Sequence, residues 1–355
     1  MPTFMQVAQL VHNEDIGVLV GQVDCTRFTG VATHFNIKGF PTILFISSNK
    51  VVEYHGDRNK EDIVDFALRL SGPPIKPISR CDDIEGNLAR HHIYFASIGM
   101  DPVWSNFSDA AEAYIATSWF YQIPFQCPDY ENGIYAIKSS IVATKKNVKF
   151  PNGTGISLNE WIKQQRFPQF VKLTPGNFNL LFNSGKILAI ALVEEYRIVN
   201  RLVSIRDMEF RDLMEAIAHT YDSEERIIFA WTSHLDMINS IAMQTISPLP
   251  NLIFINSITL EYYLMDDELI AQNIIDLLNK IKTNFTAIRF RGGDSIHHRA
   301  MRMVYEGFTT LMMMYKGNPI LTLLVFGLPL SFLAVIVYTS CFSEMTEANE
   351  EDEIE

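Results

Sequence analysis

Pro41 stands directly in front of a β-branched run, and this placement constrains the chain more than any other feature of its sequence. Proline has no N–H to give to a strand ladder, so it belongs at the first position of a strand or in a cis turn. Behind it, Ile43–Ile46 and Val51–Tyr54 are two apolar runs separated by Ser47-Ser48-Asn49-Lys50. That pattern predicts a hairpin. Ahead of it, Gly17–Val23 is a short apolar run closed by Asp24 and predicts a buried strand. Glu61–Leu70 places Ile63, Val64, Ala67, Leu68 and Leu70 at helical spacing, and Gly72-Pro73-Pro74 stops it. The order over residues 17–71 is therefore strand, helix, strand, strand, helix.

Three motifs at fixed separation then carry a resemblance: Val23-Asp24-Cys25-Thr26, Phe35-Asn36-Ile37-Lys38-Gly39-Phe40-Pro41-Thr42 and Tyr54-His55-Gly56-Asp57-Arg58. Together they resemble the second half of a redox-type thioredoxin domain of the protein disulfide isomerase family. The resemblance implies a cis peptide at Pro41. It also implies that the backbone at Phe40, Pro41 and Thr42 pairs with an extended substrate by strand addition. The family's chemistry needs Cys-x-x-Cys at a helix N-terminus, where a stabilised thiolate attacks a disulfide and the second cysteine resolves the adduct. The four cysteines here are Cys25, Cys81, Cys127 and Cys341, and no two lie within four residues. No catalytic residue and no cofactor are therefore expected. Met1–Val7 resembles the middle of the helix that follows the redox motif, so the expectation is an N-terminally incomplete chain.

Residues 75–169 repeat the pattern after the stiff Pro73-Pro74…Pro77 linker. His92–Ile98 alternates as a strand, Trp104–Tyr121 reads as one helix, and Ile134–Val142 with Lys146–Phe150 reads as a hairpin. Ser157 and Glu160 form a capping box for a helix over Ser157–Gln165. Cys81 and Cys127 are either a disulfide of an oxidising lumen or two free buried thiols. The second is the expectation, since sequence carries no distance.

Residues 170–291 read as a third domain. Leu188–Glu194, Ile227–Trp231, Leu252–Asn256 and Tyr262–Met265 are strands, and Met208–Thr220, His234–Ile246 and Asp267–Lys282 are helices. Pro250 occupies the place of the family's cis-proline and is a second candidate for binding unfolded substrate.

The C-terminal part changes character. Ile296–Tyr315 predicts a juxtamembrane helix, with a basic start at His297, His298, Arg299 and Arg302 and a methionine-rich end; this histidine pair lacks further ligands, and no metal site is expected. Ile320–Phe342 holds 23 residues without a charge, roughly 34 Å of helix and enough for a bilayer. Pro329 within it is expected to kink the span. The tail from Ser343 supplies 7 negative charges of a net −12. No basic stripe or motif points to nucleic acid.

The predicted class is α/β: tandem thioredoxin-like domains, the first incomplete, then a single transmembrane helix. The boundaries are 1–74, 75–169, 170–291, the juxtamembrane helix 292–319, the span 320–342 and the acidic tail 343–355. The family implies a single-pass endoplasmic reticulum protein whose partners are cysteine-containing or unfolded secretory proteins and the lipid bilayer. Sequons at Asn106, Asn152 and Asn284 suggest a lumenal body and a cytosolic tail. Arg299, Arg302 and Lys316, all before the span, point the other way. Met1–Gly17 does not read as a signal peptide, and a chain made as written would insert by its C-terminal span.

Overall fold

In a computed structural model, residues 2–14, 16–48, 50–99, 104–138, 146–151, 153, 155–194, 201–221, 226–283 and 289–351 are described. The chain forms two units, Met1–Met237 with Ile246–Gly292, and Ile238–Thr245 with Gly293–Glu355.

The first unit begins with α1 (Pro2–Asn13), α2 (Thr29–His34), β1 (Leu44–Ser47), β2 (Lys50–Glu53) and α3 (Lys60–Leu70). The hairpin expected behind Pro41 forms, with Leu44 opposite Glu53 and Ser47 opposite Lys50. The start of α3 is set by Asn59, whose Oδ1 accepts from Asp62 N at 2.8 Å. Gly72, at φ 77°, follows its end. Val7 and Val11 of α1 pack on Ile63 and Ala67 of α3. Gly17–Val23 is a correction: it forms no strand. Ile16, Val18 and Val20 still turn into this small core, while Leu19 is 97% exposed. The alternation is that of a strand, but among the described residues no neighbour offers a ladder to it.

The second sheet comes from β3 (Lys76–Pro77), α4 (Asp83–Arg90), β4 (Ile93–Ile98), α5 (Trp104–Tyr114), β5 (Phe120–Ile123), β6 (Gly133–Lys138), β7 (Lys146–Lys149) and α6 (Leu158–Gln165). Its strand order is β3-β5-β4-β6-β7. Alternate residues of β4 serve two cores: Tyr94, Ala96 and Ile98 face one, Phe95 the other. The capping box of Ser157 and Glu160 is present as expected.

Sequence reading missed the helix α4 and three further features here. The helix from Trp104 ends at Tyr114, and Phe120–Ile123 is a strand paired in parallel with both β4 and β3. Aromatic and β-branched side chains gain more from two-sided ladder pairing and burial than from a longer helix. Lys76–Pro77, read as linker, is an edge strand, where proline's missing N–H costs least. Cys81 and Cys127, expected as free thiols, are joined in a disulfide, with Cα atoms 5.8 Å apart. Both pack on the core of Tyr94, Tyr121 and Tyr135, so burial brings together cysteines 46 residues apart. The end of the expected strand to Val142 lies outside the described residues.

The third sheet is built from β8 (Phe170–Lys172), α7 (Phe178–Phe182), β9 (Ile187–Leu192), α8 (Arg201–Thr220), β10 (Ile227–Thr232), α9 (Leu235–Ala242), β11 (Asn251–Asn256), β12 (Glu261–Leu264), α10 (Ala271–Thr283) and β13 (Arg291–Gly292). The order is β13-β12-β11-β9-β10-β8. Phe210, Met214 and Ile217 of α8, and Ile274, Leu277, Leu278 and Ile281 of α10, are buried against Leu252 and Phe254 of β11. β8 and α7 escaped the sequence reading because both are too short to show a period.

The second unit contains α11 (Ile296–Gly317), α12 (Pro319–Thr322), a π-helical stretch (Leu323–Gly327) and α13 (Leu328–Glu351). Pro319–Ser340 is long and apolar enough to cross a membrane. The irregularity anticipated from Pro329 takes the form of the π-helical turn just before it. Proline cannot donate to the carbonyl four residues back, and a wider turn accommodates the gap.

A polar seam ties α3 to the second sheet. Asp65 pairs with Arg69, and Arg69 Nη2 donates to Ala116 O at 3.0 Å. Trp119 Nε1 donates to Asp65 Oδ1 at 3.1 Å, and the His91 ring stacks on Trp119 at 4.1 Å. Burial, with Arg69 and Arg90 nearby, pushes His91 down to about 4. Asp65 Oδ1 lies 3.6 Å from His91, but its charge is already engaged by Arg69, so burial prevails. The folded state thus binds the His91 proton less readily than the unfolded chain. Stability is full above about pH 6.5 and falls as pH drops toward 4. With the discount for partial burial, the loss by pH 5 is about 1–2 kcal/mol. Burial raises Asp65, which works in the opposite sense at lower pH. Thermal unfolding at pH 7 and pH 5 should show this difference in the parent chain and a smaller one in His91→Phe; equal slopes would refute the assignment.

Candidate peptide-binding site

The segment leading into β1 builds the site. The Phe40–Pro41 peptide is cis, and Thr42 Oγ1 donates to Gly39 O at 2.7 Å. Arg58 Nη2 donates to Pro41 O at 3.0 Å, tying the third motif to the second. Tyr54 N donates to Ile43 O at 2.9 Å, and Tyr54 Oη donates to Asp57 O at 2.6 Å. Burial holds the Tyr54 hydroxyl in its neutral, donating form. Phe40 is 63% exposed beside this anchored backbone. β1 pairs only with β2 among the described residues, so its far edge carries free backbone groups.

Pro41, Thr42 and Ile43 line a cleft of about 1200 Å³, with its opposite wall from Phe167–Lys172, Thr174–Asn177 and Trp231. One contact between the two walls depends on a glycine. Gly176 N donates to Asp57 Oδ1 at 3.3 Å, and a Cβ at Gly176 would stand 2.5 Å from Asp57 N. Cations flank the aromatic wall: Lys172 Nζ lies 4.6 Å and Arg211 5.5 Å from the Trp231 ring centre. His219 contacts Gln169, and burial holds it below its usual value despite Glu215. Sequence reading missed this wall, whose residues come from loops, from the unread β8 and from β10, which was read only for its apolar pattern. A free strand edge beside an exposed aromatic and a mixed aromatic–charged cleft suits an extended peptide.

Pro250 differs. Its peptide is also cis, as is that of Pro248, but Pro250 is buried and β11 is paired on both sides, with β9 and β12. It therefore offers no edge to a peptide, and the two proline candidates are not brought into one site. Asn106 is exposed on α5; Asn152 and Asn284 lie outside the described residues. Cys25 is half-buried and unpaired.

Three β assemblies, two with a mixed sheet flanked by helices, define a tandem thioredoxin-fold protein. Residues 1–69 match the Thioredoxin family model, and residues 105–280 match that of the Thioredoxin-like domain. Together the two matches place most of the chain in thioredoxin-type domains, and its curated relatives are protein disulfide-isomerases. It is 25% identical over 326 residues to human protein disulfide-isomerase TMX3, covering 90% of this chain and 70% of that protein. It is 25% identical over 361 residues to the Xenopus laevis protein of the same name, covering 99% and 77%. Among solved structures, the bb fragment of ERp72 covers 62% of this chain and 100% of its own, at 11% identity and TM-score 0.43. The zinc-bound form of human ERp44 covers 79% and 84%, at 17% identity and TM-score 0.35.

Proposed function

We propose that the protein is a membrane-anchored handler of cysteine-containing or unfolded secretory proteins in the endoplasmic reticulum, with its body in the lumen and its acidic tail in the cytosol. Thiol–disulfide exchange is the chemistry of its family. These 355 residues hold the client and do not themselves turn over disulfides. The observation that carries this reading is the open β1 edge, headed by Phe40-Pro41-Thr42, beside the cleft. An extended client adds to that edge through main-chain hydrogen bonds, and Phe40 gives an aromatic platform. Pro250 contributes to the fold of its own domain rather than to capture. The non-catalytic part of the reading is supported by the cysteines: Cys81 is joined to Cys127, and Cys25 has no partner nearby in sequence.

The test is binding of reduced, carboxymethylated lactalbumin to the full chain in detergent. Phe40→Ala should weaken binding about tenfold, ~1.4 kcal/mol, with unchanged circular dichroism. Binding indifferent to Phe40, or absent altogether, would refute the site. In an insulin-reduction assay the chain should give no turnover; turnover would return the chemistry to Cys25 or to the Cys81–Cys127 pair.

A further inference from the structure

The helix α11 is put together in an unusual sense. Its half-buried stripe is His298, Arg302, Tyr305 and Thr309, spaced at three and four residues. Arg302 Nη2 donates to Gly293 O at 3.3 Å and Nη1 lies 3.9 Å from Asp294. Glu306 accepts from Ser240 Oγ. The contacts of this helix with the rest of its unit therefore run through a largely polar stripe. A different face carries Met301, Val304, Phe308, Leu311, Met312 and Tyr315, with the i, i+3, i+7, i+10, i+11, i+14 spacing of one apolar stripe. All six are exposed, from 38% at Leu311 to 73% at Val304. A stripe of this length left open to water marks an interaction surface.

What covers it follows from where it ends. Asn318 alone separates α11 from the apolar segment Pro319–Ser340. It has extended backbone, φ −151° and ψ 92°, and caps both helices, accepting from Leu321 N at 3.1 Å. The two helices are therefore separate elements joined at one residue. Phe308 lies within roughly 15 Å of that joint along the helix. Lys316 adds positive charge at the C-terminal end, suited to anionic headgroups, whereas Arg299 is paired with Asp294.

We propose that α11 lies in the bilayer interface beside the span, its Met301–Tyr315 stripe set into the boundary of headgroups and acyl chains. This rests on Pro319–Ser340 being a membrane span. A stripe of large apolar side chains opposite a face that carries Arg299, Glu306 and Thr310 besides Met303 and Met313 is the construction of an interfacial helix, which sinks about 5–10 Å into that boundary. The membrane contact then extends from a single crossing point to a helix lying flat.

The full chain, reconstituted in bilayers of phosphatidylcholine and phosphatidylserine with brominated acyl chains, provides the test. Tryptophan is introduced singly as Phe308→Trp, Thr310→Trp and Phe332→Trp, and the signal of the 4 native tryptophans is subtracted. Thr310 lies on the face opposite Phe308, and Phe332 reports the span. Quenching at position 308 should exceed that at 310 by about twofold or more. Quenching at 332 with none at 308 would overturn the proposal while leaving the span intact. Equal strong quenching at 308 and 310 would mean full immersion, and would overturn it as well. Absence of quenching at all three would remove the span, and the proposal with it.

Discussion

Replacing Arg69 by alanine should destabilise the contact between α3 and the second sheet by about 2–3 kcal/mol. Arg69 has a side chain only 12% exposed, pairs with Asp65, and donates to Ala116 O at 3.0 Å. Removing it leaves a carboxylate that keeps the Trp119 hydrogen bond, with the His91 ring 3.6 Å away. Breaking a fully buried pair costs about 3–5 kcal/mol, and the 34% exposure of the Asp65 side chain lowers that figure through solvent screening. The double variant Asp65→Leu/Arg69→Met keeps the volume without an orphaned charge but leaves Trp119 Nε1 and Ala116 O unpaired, and should recover part of the loss. Amide exchange over Lys60–Leu70 resolves the effect locally, which matters because a chain of several domains does not unfold as one unit. Exchange unchanged in Arg69→Ala would show that the seam contributes nothing to holding α3.

The second large effect concerns Cys81 and Cys127. Their link closes a loop of 46 residues. The chain-entropy model gives about 4 kcal/mol for a loop of this length, as an upper figure. The double variant Cys81→Ala/Cys127→Ala removes the link without placing a hydroxyl in the core of Tyr94 and Tyr121. Its second domain should melt more than about 10 °C below the parent in oxidising buffer. Reducing agent should lower the parent to the same temperature. A double variant that melts with the parent would restore the reading of two free thiols.

These expectations separate what could be read from the chain and what could not. The hairpin behind Pro41, the capped helix at Ser157 and the apolar span were legible, because each rests on contacts within about a dozen residues; the cap at Asn59 went unread. So were the inward residues Phe210, Met214 and Ile217 of α8 and Ile274, Leu277, Leu278 and Ile281 of α10, where one face of a helix meets one core; Ile270, expected inward with them, precedes α10 and is exposed. The anchoring of Phe40-Pro41-Thr42 was legible in part. The three motifs pointed to it, but the bond from Arg58 to Pro41 O was not visible in their spacing. The opposite wall of the cleft, at Phe167–Asn177 and Trp231, lies more than a hundred residues away and gave no local signal.

The misreadings share that cause. Gly17–Val23 has the sequence of a strand, yet a strand exists only where a neighbour completes its ladder. Phe120–Ile123 continues a helical stripe in sequence, yet β3 and β4 claim it from both sides. Pro250 matches Pro41 in sequence context, but β9 and β12 occupy both edges of the strand that follows it. By itself the sequence determined the local elements, the tandem α/β class and the apolar C-terminal segment, all of which follow from short-range pattern and turn chemistry. The tertiary structure decided which strand edge stays open, which cysteines meet and which face of α11 is left uncovered. Those outcomes depend on hydrogen-bond partners and packing surfaces supplied by residues distant in the chain.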